Sequence, residues 1–273
     1  MEYVSLNGKI LRDDRASFPV TDPATAYGFG LFEVTRGYSG APFLLSHHVA
    51  RMKKSARVFG LTLPMTTSRI DREIRTLCRK NRAPDAYIRF ALTGGGNFLV
   101  QARTRQPLPK SWEERGARLL LAKSRKDPTH FLSGHKTLNY LENVLLRDSA
   151  RRRGAVDALW LGREGEILEG CVSNIFFVHR NQLVTPALHG GILPGVTRKI
   201  TLEIARKCGI PVREEKVFPA MFDRASEIFV TNALVEVMPV TRFEGKKVGG
   251  IGPVTRRLRE EYRALVKNEC PGE

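Results

Sequence analysis

The sequence predicts an α+β fold with two domains, and three observations support this prediction. The chain has 273 residues, which exceeds what one minimal core needs and falls short of three domains. Hydrophobic residues make up 42% of the chain and charged residues 27%, a composition typical of globular proteins. Short strand patterns occur in clusters that a few helical patterns interrupt, without a regular alternation of strand and helix. We therefore expect one domain over residues 1–115 and a second over residues 116–273.

In the first half of the chain, two predicted hairpins precede two amphipathic helices. Asn7-Gly8 is a tight-turn signal between two short apolar runs, and residues 38–41 separate another such pair. The predicted strands are residues 3–6, 9–11, 31–36, 42–45 and 87–93. Apolar residues at helical spacing predict the first helix, and they are Leu45, Val49, Met52, Ala56 and Phe59. The second helix begins with Thr67 as its N-cap, and its buried residues are Ile70, Ile74 and Leu77.

The second half of the chain has clearer patterns after an irregular stretch. Residues 101–118 hold two prolines and no clean periodicity, so we expect a loop over roughly residues 105–135 that joins the domains. Leu138, Leu141, Leu145 and Ala150 then indicate a helix that ends near Gly154. Further helices are predicted over residues 197–208 and 253–266. The predicted strands are residues 119–121, 157–161, 167–169, 174–178, 182–184, 228–230 and 235–240.

The charge balance is strongly basic and favours anionic partners. The chain has 45 Lys and Arg against 28 Asp and Glu, which gives a net charge of +17. Because the basic residues are scattered and do not form one aromatic-interleaved patch, we expect no specific nucleic-acid binding. A basic surface also concentrates small anionic substrates. The alternative is a non-catalytic, basic protein that binds polyanions.

The sequence gives no signal for a membrane, a secretory route or a metal site. It lacks a signal-peptide pattern and any apolar run of 18 residues. The four cysteines are far apart, as expected for reduced thiols in the cytoplasm. The histidines have no carboxylate at a convincing spacing, so we expect no metal ligands. We therefore expect a cytoplasmic protein.

Lys136 and Arg51 are candidates for functional side chains. Lys136 precedes apolar residues, and we expect it at the entrance to a helix, where burial would lower its pKa and make its amine nucleophilic. Arg51 lies on a predicted helix and offers a forked grip for a phosphate. Gly195-Val196-Thr197 opens another helix, whose free N–H groups suit an anion. Solvated side chains and an ordinary helix start remain the alternatives.

Six motifs follow one another along nearly the whole chain. They are YGFGLFEVTR at residues 27–36, HVARM at 48–52 with SA at 55–56, Lys136, EGCVSN at 169–174, LPGVTR at 193–198 and TNALVEVMPV at 231–240. Together they resemble the class IV, fold type IV, enzymes that depend on pyridoxal 5′-phosphate (PLP). This family includes branched-chain aminotransferases, D-amino acid aminotransferases and aminodeoxychorismate lyases. Phe29 stands where the family usually has an aspartate.

The resemblance implies a fold, an assembly and a set of site residues. The expected fold has a small N-terminal α/β domain and a larger C-terminal domain with a β-barrel-like core, and the expected assembly is a homodimer. Lys136 is implied as the catalytic residue that carries PLP. The implied cofactor-binding residues are Arg51, Tyr140, Glu169, Ser173, Asn174, Gly195, Val196, Thr197, Asn232 and Ala233. The implied substrate-binding residues are Phe32, Arg36, Tyr87, Arg89 and Asn232.

Two of these residues have a specific expected role on the cofactor. Glu169 is implied to face the pyridine nitrogen and to favour the protonated ring, and a solvated edge-strand glutamate is the alternative. Tyr140 follows Lys136 by four residues, so we expect both on one side of a helix, with the phenol on the ring hydroxyl of PLP. A core aromatic is the alternative for Tyr140.

The residues around the expected substrate site leave two reactions open. Tyr87-Ile88-Arg89 is similar to the Y-x-R of branched-chain aminotransferases, and Arg36 is a second candidate for the substrate carboxylate. Gly94 stands where D-amino acid aminotransferases and the lyases usually have a carboxylate-binding arginine. Residues 232–240 resemble the lyase more closely. We predict transfer of an amino group between a small anionic amino acid, branched-chain or D-configured, and a 2-keto acid. Release of pyruvate and 4-aminobenzoate from aminodeoxychorismate is the alternative.

Overall fold

A computed structural model describes residues 2–188 and 191–271, which form two compact units. The first unit comprises residues 2–107, the segment His135–Asn139 and residues 265–271. The second comprises Leu108–Gly134 and Tyr140–Ala264. The units are therefore not contiguous in sequence, and the segment that carries Lys136 belongs to the first. A division into domains at residues 115 and 116 stays a prediction.

The first unit contains an antiparallel sheet with three helices. Its strands are β1 (Tyr3–Leu6), β2 (Lys9–Arg12), β3 (Gly30–Tyr38), β4 (Ala41–Pro42), β5 (Ala86–Thr93) and β6 (Phe98–Thr104). Their order in the sheet is β2-β1-β6-β5-β3-β4. The helices are α1 (Pro23–Tyr27), α2 (Leu45–Val58) and α3 (Thr67–Lys80). The first predicted hairpin and both helices are confirmed, except that Thr66 and not Thr67 caps α3, through a hydrogen bond from the Arg69 amide to its hydroxyl. In the second hairpin the strand predicted over residues 42–45 is wrong in extent, because β4 covers only Ala41–Pro42 and α2 begins at Leu45.

The core of the first unit lies between the sheet and the apolar faces of α2 and α3. Val49 and Met52 of α2 and Ile74 of α3 are almost fully buried, as the helical spacing predicts. They belong to one cluster with Ile88 and Phe90 of β5. This core supports β3 and β5 from one side, and these two strands bear the predicted substrate residues of the unit.

The segment around Lys136 is extended and pairs with β3. The Phe32 amide donates to the Lys136 carbonyl at 2.9 Å, and the Leu138 amide donates to the Gly30 carbonyl at 2.9 Å. Because these backbone groups are engaged with β3, the segment cannot be helical. The expectation that Lys136 enters a helix and shares a helical side with Tyr140 is therefore wrong. Leu138, predicted as part of that helix, also lies outside it.

The second unit is built on a curled sheet with mixed strand directions. Its strands are β7 (Ala117–Arg125), β8 (Asp157–Leu161), β9 (Ile167–Gly170), β10 (Asn174–His179), β11 (Gln182–Pro186), β12 (Val212–Glu215), β13 (Glu227–Asn232), β14 (Glu236–Phe243) and β15 (Lys246–Lys247). The main order is β12-β11-β10-β13-β14-β7-β8-β9, and β15 pairs with β14. The Ile167 amide in β9 donates to the carbonyl of Val217, just after β12, at 2.7 Å. This bond links the two ends of the order, so the predicted α+β class with a barrel-like second core is confirmed.

Helices cover and extend this second sheet. They are α4 (Lys110–Arg115), α5 (Leu141–Arg152), α6 (Val196–Lys207), α7 (Met221–Arg224) and α8 (Pro253–Glu269), of which α8 continues into residues of the first unit. Ala150 is the buried residue of α5, whereas Leu141 and Leu145 are 71% and 59% exposed. The spacing of the leucines therefore predicted the position of the helix correctly, but it predicted the wrong residues as the buried face of that helix. Within the described residues, no helix is long and apolar enough to cross a membrane.

The predicted loop over residues 105–135 contains regular structure. It includes α4 and β7, which contains the strand predicted at residues 119–121 but extends over Ala117–Arg125. In the sheet β7 lies between β14 and β8, and its Leu119 and Leu120 are buried. Strand β6 was not predicted from the sequence, yet β1 and β5 pair with it on both sides. The charged residues at the ends of β6 and β7 obscured their alternation, because sheet pairing and not side-chain pattern holds those ends in place.

Replacing Ile74 with alanine tests the core of the first unit. Ile74 is fully buried in α3, so Ile74→Ala leaves a cavity and should lower the free energy of unfolding by about 2–5 kcal/mol. Urea unfolding monitored by circular dichroism measures this change. Arg72→Ala, on the exposed side of the same helix, is the control and should change it by less than about 0.5 kcal/mol. Equal effects of the two substitutions would contradict this packing.

Candidate functional site

The Phe32 ring in β3 has two cations beside it. The Nζ of Lys136 lies 4.5 Å from the ring centroid, and the guanidinium carbon of Arg89 lies 5.0 Å from it. The two cationic groups are therefore no farther apart than the sum of these distances. Three residues predicted from the sequence, one catalytic and two substrate-binding, thus meet at one aromatic ring.

Arg89 is a half-buried cation with no carboxylate beside it. Among the residues that the structure describes, its side chain has no ion pair or hydrogen bond, and its ring contact is to Phe32. Burial lowers the pKa of Arg89, and the nearby Arg103 adds to this effect. A guanidinium in this situation gains from an anion that binds in a forked geometry.

Arg36 and Tyr87, the other substrate residues predicted in this unit, already have partners. The Nε and Nη2 of Arg36 donate to the two carboxylate oxygens of Asp85 at 2.7 and 3.1 Å. Arg105 donates to the same carboxylate. The Tyr87 ring has the Arg103 guanidinium above it at 4.8 Å. Of the two arginines expected to bind a substrate carboxylate, Arg89 is the one without an acidic partner.

A buried carboxylate, Glu33, orients Arg51 from the next position along β3. Arg51 donates through Nε at 2.8 Å and through Nη2 at 2.6 Å, and the Nδ1 of His48 lies 2.8 Å from the same carboxylate. Burial alone would raise the pKa of Glu33, but Arg51 and His48 outweigh it and lower the pKa to about 2. Because an ionised carboxylate only accepts, His48 must donate from Nδ1. Arg51 is therefore fixed in the interior and is not a mobile surface side chain.

The sequence motif contained Glu33 without revealing its role. His48 and Arg51 are three residues apart on α2, so they share one helical face, which the structure turns toward β3. The signal that could have revealed the role of Glu33 is this pair of basic residues on one face of a helix that packs against the strand carrying a glutamate. The interpretation of Arg51 as a phosphate ligand stays a prediction, now with one edge of its guanidinium held by Glu33.

Ser55 and His135 join α2 to the segment that carries Lys136. The Ser55 hydroxyl and the Nδ1 of His135 share a hydrogen bond at 2.9 Å. The His135 ring also packs edge-on against Phe59, with ring centroids 4.9 Å apart. The residue before Lys136 is thus held by side chains, and Lys136 itself is held by its backbone. Sequence reasoning missed both Ser55 and His135 as parts of this site.

In the second unit, Glu169 is held at the end of β9. One of its oxygens accepts from the Nζ of Lys126 at 2.7 Å, and the other accepts from the Leu193 amide at 3.0 Å. The side chain is nearly buried. A carboxylate oxygen accepts more than one hydrogen bond, so the group retains capacity for a further donor.

The turn after β9 receives two of the predicted cofactor residues. The Tyr140 hydroxyl donates to the Cys171 carbonyl at 3.0 Å, and the Nδ2 of Asn232 donates to the Val172 carbonyl at 3.1 Å. Burial raises the pKa of Tyr140, so its phenol is protonated at neutral pH. Both side chains thus contact the same turn, which also contains Ser173. Ala233 follows Asn232 in the tight connection between β13 and β14.

The first turn of α6 has no side-chain cap among the residues that the structure describes. Gly195 is its N-cap residue, and no side chain caps the first turn, so the amides there lack a side-chain acceptor. A Cβ atom at Gly195 would lie 2.0 Å from the Oδ1 of Asn174, which leaves glycine as the residue that fits. Asn174 in turn donates to the Leu193 carbonyl at 3.1 Å. Val196 and Thr197 are buried in this first turn. The residues predicted here to bind phosphate therefore lie together.

Comparison with known proteins gives consistent similarities. A model of the family "Amino-transferase class IV" matches residues 30–243. A putative branched-chain-amino-acid aminotransferase of Methanocaldococcus jannaschii is 33% identical, over 96% of this chain and 96% of the relative. A D-alanine aminotransferase of Bacillus licheniformis is 27% identical, over 97% and 98%. The solved structure of a branched-chain aminotransferase from Thermoproteus uzoniensis with norvaline has a TM-score of 0.86 and 29% identity, over 98% of this chain and 95% of that one.

Substitution of Glu33 should change how stability depends on pH. Its pKa falls from an ordinary 4.5 to about 2 on folding, so ionised Glu33 stabilises the folded chain above pH 4.5. This contribution is lost as the pH falls toward 2. At pH 7 we expect the free energy of unfolding of Glu33→Gln to be about 3 kcal/mol lower than that of the unsubstituted chain. This difference should shrink below about pH 4.5.

Urea unfolding at several pH values between about 3 and 7 measures this difference. Glu2→Gln, which changes an exposed carboxylate in the same unit, is the matched control and should show no such pH dependence. A Glu33→Gln difference that is the same at every pH would contradict the ionised, paired state of Glu33.

Proposed function

Because this chain belongs to the class IV amino-transferase family, we propose that it is a PLP-dependent aminotransferase that acts on a small amino acid and a 2-keto acid. The observation that supports this most strongly is the position of Lys136 and Arg89 beside one ring, that of Phe32. A primary amine for the cofactor and a cation for a substrate carboxylate are the two groups that this reaction needs together.

The residues of each unit fit a part of the cofactor. Lys136 offers an amine for the aldehyde carbon, and Arg51 offers a guanidinium, fixed by Glu33, for the phosphate. In the second unit, the open first turn of α6 at Gly195 suits a phosphate, and Glu169 suits a pyridine nitrogen. When bound, PLP supplies an electron sink for the bonds at the substrate's α-carbon.

Other side chains complete the proposed cofactor site. Tyr140 offers its phenol to the ring hydroxyl, and its hydrogen bond to the Cys171 carbonyl sets where that phenol lies. Asn232, through the Val172 carbonyl, is fixed by the same turn. Ser173, Asn174, Val196, Thr197 and Ala233 complete the set proposed for the cofactor.

Lys136 is the residue that we propose to move the proton. With the cofactor bound, the Nζ of Lys136 would be the base that takes a proton from the substrate's α-carbon and the acid that gives a proton back. The Phe32 ring lies beside Nζ and stabilises the ammonium form by its negative π face. The backbone hydrogen bond from Phe32 to Lys136 holds the main chain of Lys136 beside this ring.

Arg89 is the proposed ligand of the substrate carboxylate. Arg36 is paired with Asp85, and the position of Gly94 has no room for a longer side chain. A Cβ atom at Gly94 would lie 2.5 Å from the Cδ1 of Phe29, the residue that replaces the family's aspartate. These two replacements contact each other, so the site is expected to bind one carboxylate at Arg89 beside an apolar wall. Such a site suits a monocarboxylic amino acid, branched-chain or D-configured.

The assembly and cellular location belong to the same proposal. We expect a homodimer in the cytoplasm that takes small anionic amino and keto acids as substrates. The net charge of +17 favours the approach of such anions at low salt.

Removal of the Lys136 amine should abolish cofactor attachment. The purified protein with PLP should be yellow, and Lys136→Ala should lose both the colour and transamination, because no other group supplies the amine. Absorbance spectra before and after gel filtration measure this. Lys123→Ala, which removes an exposed lysine, is the control and should keep both. A colourless protein that PLP cannot reconstitute, and that shifts DNA at low salt, would favour the polyanion-binding alternative.

Substitution of Arg89 should weaken substrate binding. A charge-assisted hydrogen bond contributes about 1.5–3 kcal/mol, so Arg89→Ala should raise KM for the amino acid roughly 10- to 100-fold. Arg72→Ala is the control on an exposed position. Half-reactions with the enantiomers of alanine, leucine and glutamate, followed by conversion to the pyridoxamine form, measure both variants. No half-reaction with any amino acid, together with pyruvate release from aminodeoxychorismate, would replace the aminotransferase with the lyase.

A further inference from the structure

A second buried carboxylate, Asp157 at the start of β8, collects four donors. The Ala158 amide and the Cys171 thiol donate to its Oδ1, the former at 2.8 Å. The Val172 amide and the Ser173 hydroxyl donate to its Oδ2 at 3.2 and 2.6 Å. Asp157 is 1% exposed. Three of the four donors belong to the turn formed by residues 171–173, which we call the Asp157 turn.

The Asp157 turn directs its carbonyls toward side chains of the proposed cofactor site. The Cys171 carbonyl accepts from the Tyr140 hydroxyl at 3.0 Å and from the Nδ2 of Asn143 at 2.6 Å. The next carbonyl, of Val172, accepts from Asn232. The donors of the Asp157 turn thus bind Asp157, and the carbonyls of the same turn accept hydrogen bonds from the side chains of Tyr140, Asn143 and Asn232.

We propose that Asp157 is a positioning residue for the Tyr140 hydroxyl, acting through the Asp157 turn. The inference rests on the proposed function, in which Tyr140 contacts the ring hydroxyl of PLP. Asp157 fixes residues 171–173 through their amide, thiol and hydroxyl. The Cys171 carbonyl is then fixed in place, and with it the phenol oxygen that hydrogen-bonds it.

The geometry requires a carboxylate at this position and not an amide. Each oxygen of Asp157 accepts from one backbone amide, Ala158 on Oδ1 and Val172 on Oδ2. In Asp157→Asn, one oxygen becomes an NH₂ group, which only donates. Whichever way the amide is turned, it faces a backbone N–H that cannot rotate away. The Asp157 turn must then move, even though the size of the side chain is kept.

Asn143 gives the Tyr140 proton a choice of acceptor. Because Asn143 also donates to the Cys171 carbonyl, that buried oxygen stays paired when the phenol turns its proton elsewhere. The proton of Tyr140 can therefore reach the ring oxygen of the cofactor without leaving a buried acceptor unsatisfied. The exchange requires that the Cys171 carbonyl stay within reach of both Tyr140 and Asn143, and Asp157 holds the turn that carries this carbonyl.

A double-mutant cycle on the holoenzyme tests the inference. The readout is the pH midpoint of the absorbance change of bound PLP, which responds to a hydrogen bond on the ring oxygen. Tyr140→Phe removes this bond and should move the midpoint by about one pH unit or more. Asp157→Asn should move it in the same direction by at least about half a unit. The double variant should show no more shift than Tyr140→Phe, because Asp157 acts through the phenol.

Controls separate positioning from stability. Glu227→Gln alters another buried carboxylate of the same unit, one that caps the start of α8 by accepting from the Val254 and Thr255 amides. It should lower the melting temperature and leave the midpoint unchanged. Asp157, Glu169, Cys171 and Arg147 also act on the Tyr140 phenol electrostatically. Of these four groups the cycle alters only Asp157, and Cys171→Ala is a further variant that keeps the Asp157 carboxylate while it removes one donor of the turn. If Asp157→Asn does not fold, Cys171→Ala removes one donor and should give a smaller shift in the same direction.

The outcomes distinguish this inference from the proposed function. A wild-type protein that takes up no PLP contradicts the proposed function itself. A yellow wild type with an unshifted midpoint in Asp157→Asn, or in Cys171→Ala where that variant stands in, overturns the positioning role alone. A shift in Asp157→Asn that persists in full on the Tyr140→Phe background also overturns it, because Asp157 would then act by another route.

Discussion

The pairing of the His135–Asn139 segment with β3 is the constraint on which the proposed chemistry depends. Two backbone hydrogen bonds hold this segment beside the strand, between Phe32 and Lys136 and between Leu138 and Gly30. A flexible lysine would lose side-chain and backbone freedom each time it reached its target. Here the backbone is already fixed by the fold, and the Nζ lies at the Phe32 ring that Arg89 also contacts. The position from which the Lys136 side chain starts is therefore set by a strand pairing.

Two buried carboxylates organise the side chains around that amine's proposed cofactor. Glu33 holds Arg51 and His48 in the first unit, and Asp157 holds the turn that orients Tyr140 in the second. A buried ionised group is costly unless charge or several donors compensate it. Glu33 is compensated by a cation, and its pKa falls. Asp157 has donors but no ion pair among the described residues, and burial raises its pKa. Two buried carboxylates therefore have pKa values shifted in opposite directions, because one has a cation as its partner and the other has only uncharged donors.

Much of the fold and the site was predictable from the sequence, where local pattern carries the information. The strand and helix periodicities located α2, α3, α6 and most strands, and the ordered motifs indicated the family, while the role of Lys136 stays a prediction. The partners of Glu33 and Asp157 were not predictable, because they are side chains 14–18 positions away along the chain that only the folded sheet brings close. For Tyr140 the sequence predicted a relation to Lys136 that the structure does not have. A spacing of four suggested a shared helical face, whereas pairing with β3 makes the preceding segment extended.

The central claim is that Lys136 and no other lysine carries the cofactor, and borohydride trapping followed by peptide mapping tests it most directly. Reduction of the yellow protein should attach the phosphopyridoxyl group irreversibly to one lysine. Trypsin does not cleave after a modified lysine, so the account predicts one labelled peptide that spans residues 127–147 with Lys136 uncleaved. A label on any other lysine, or none in a protein that transaminates, would contradict the account.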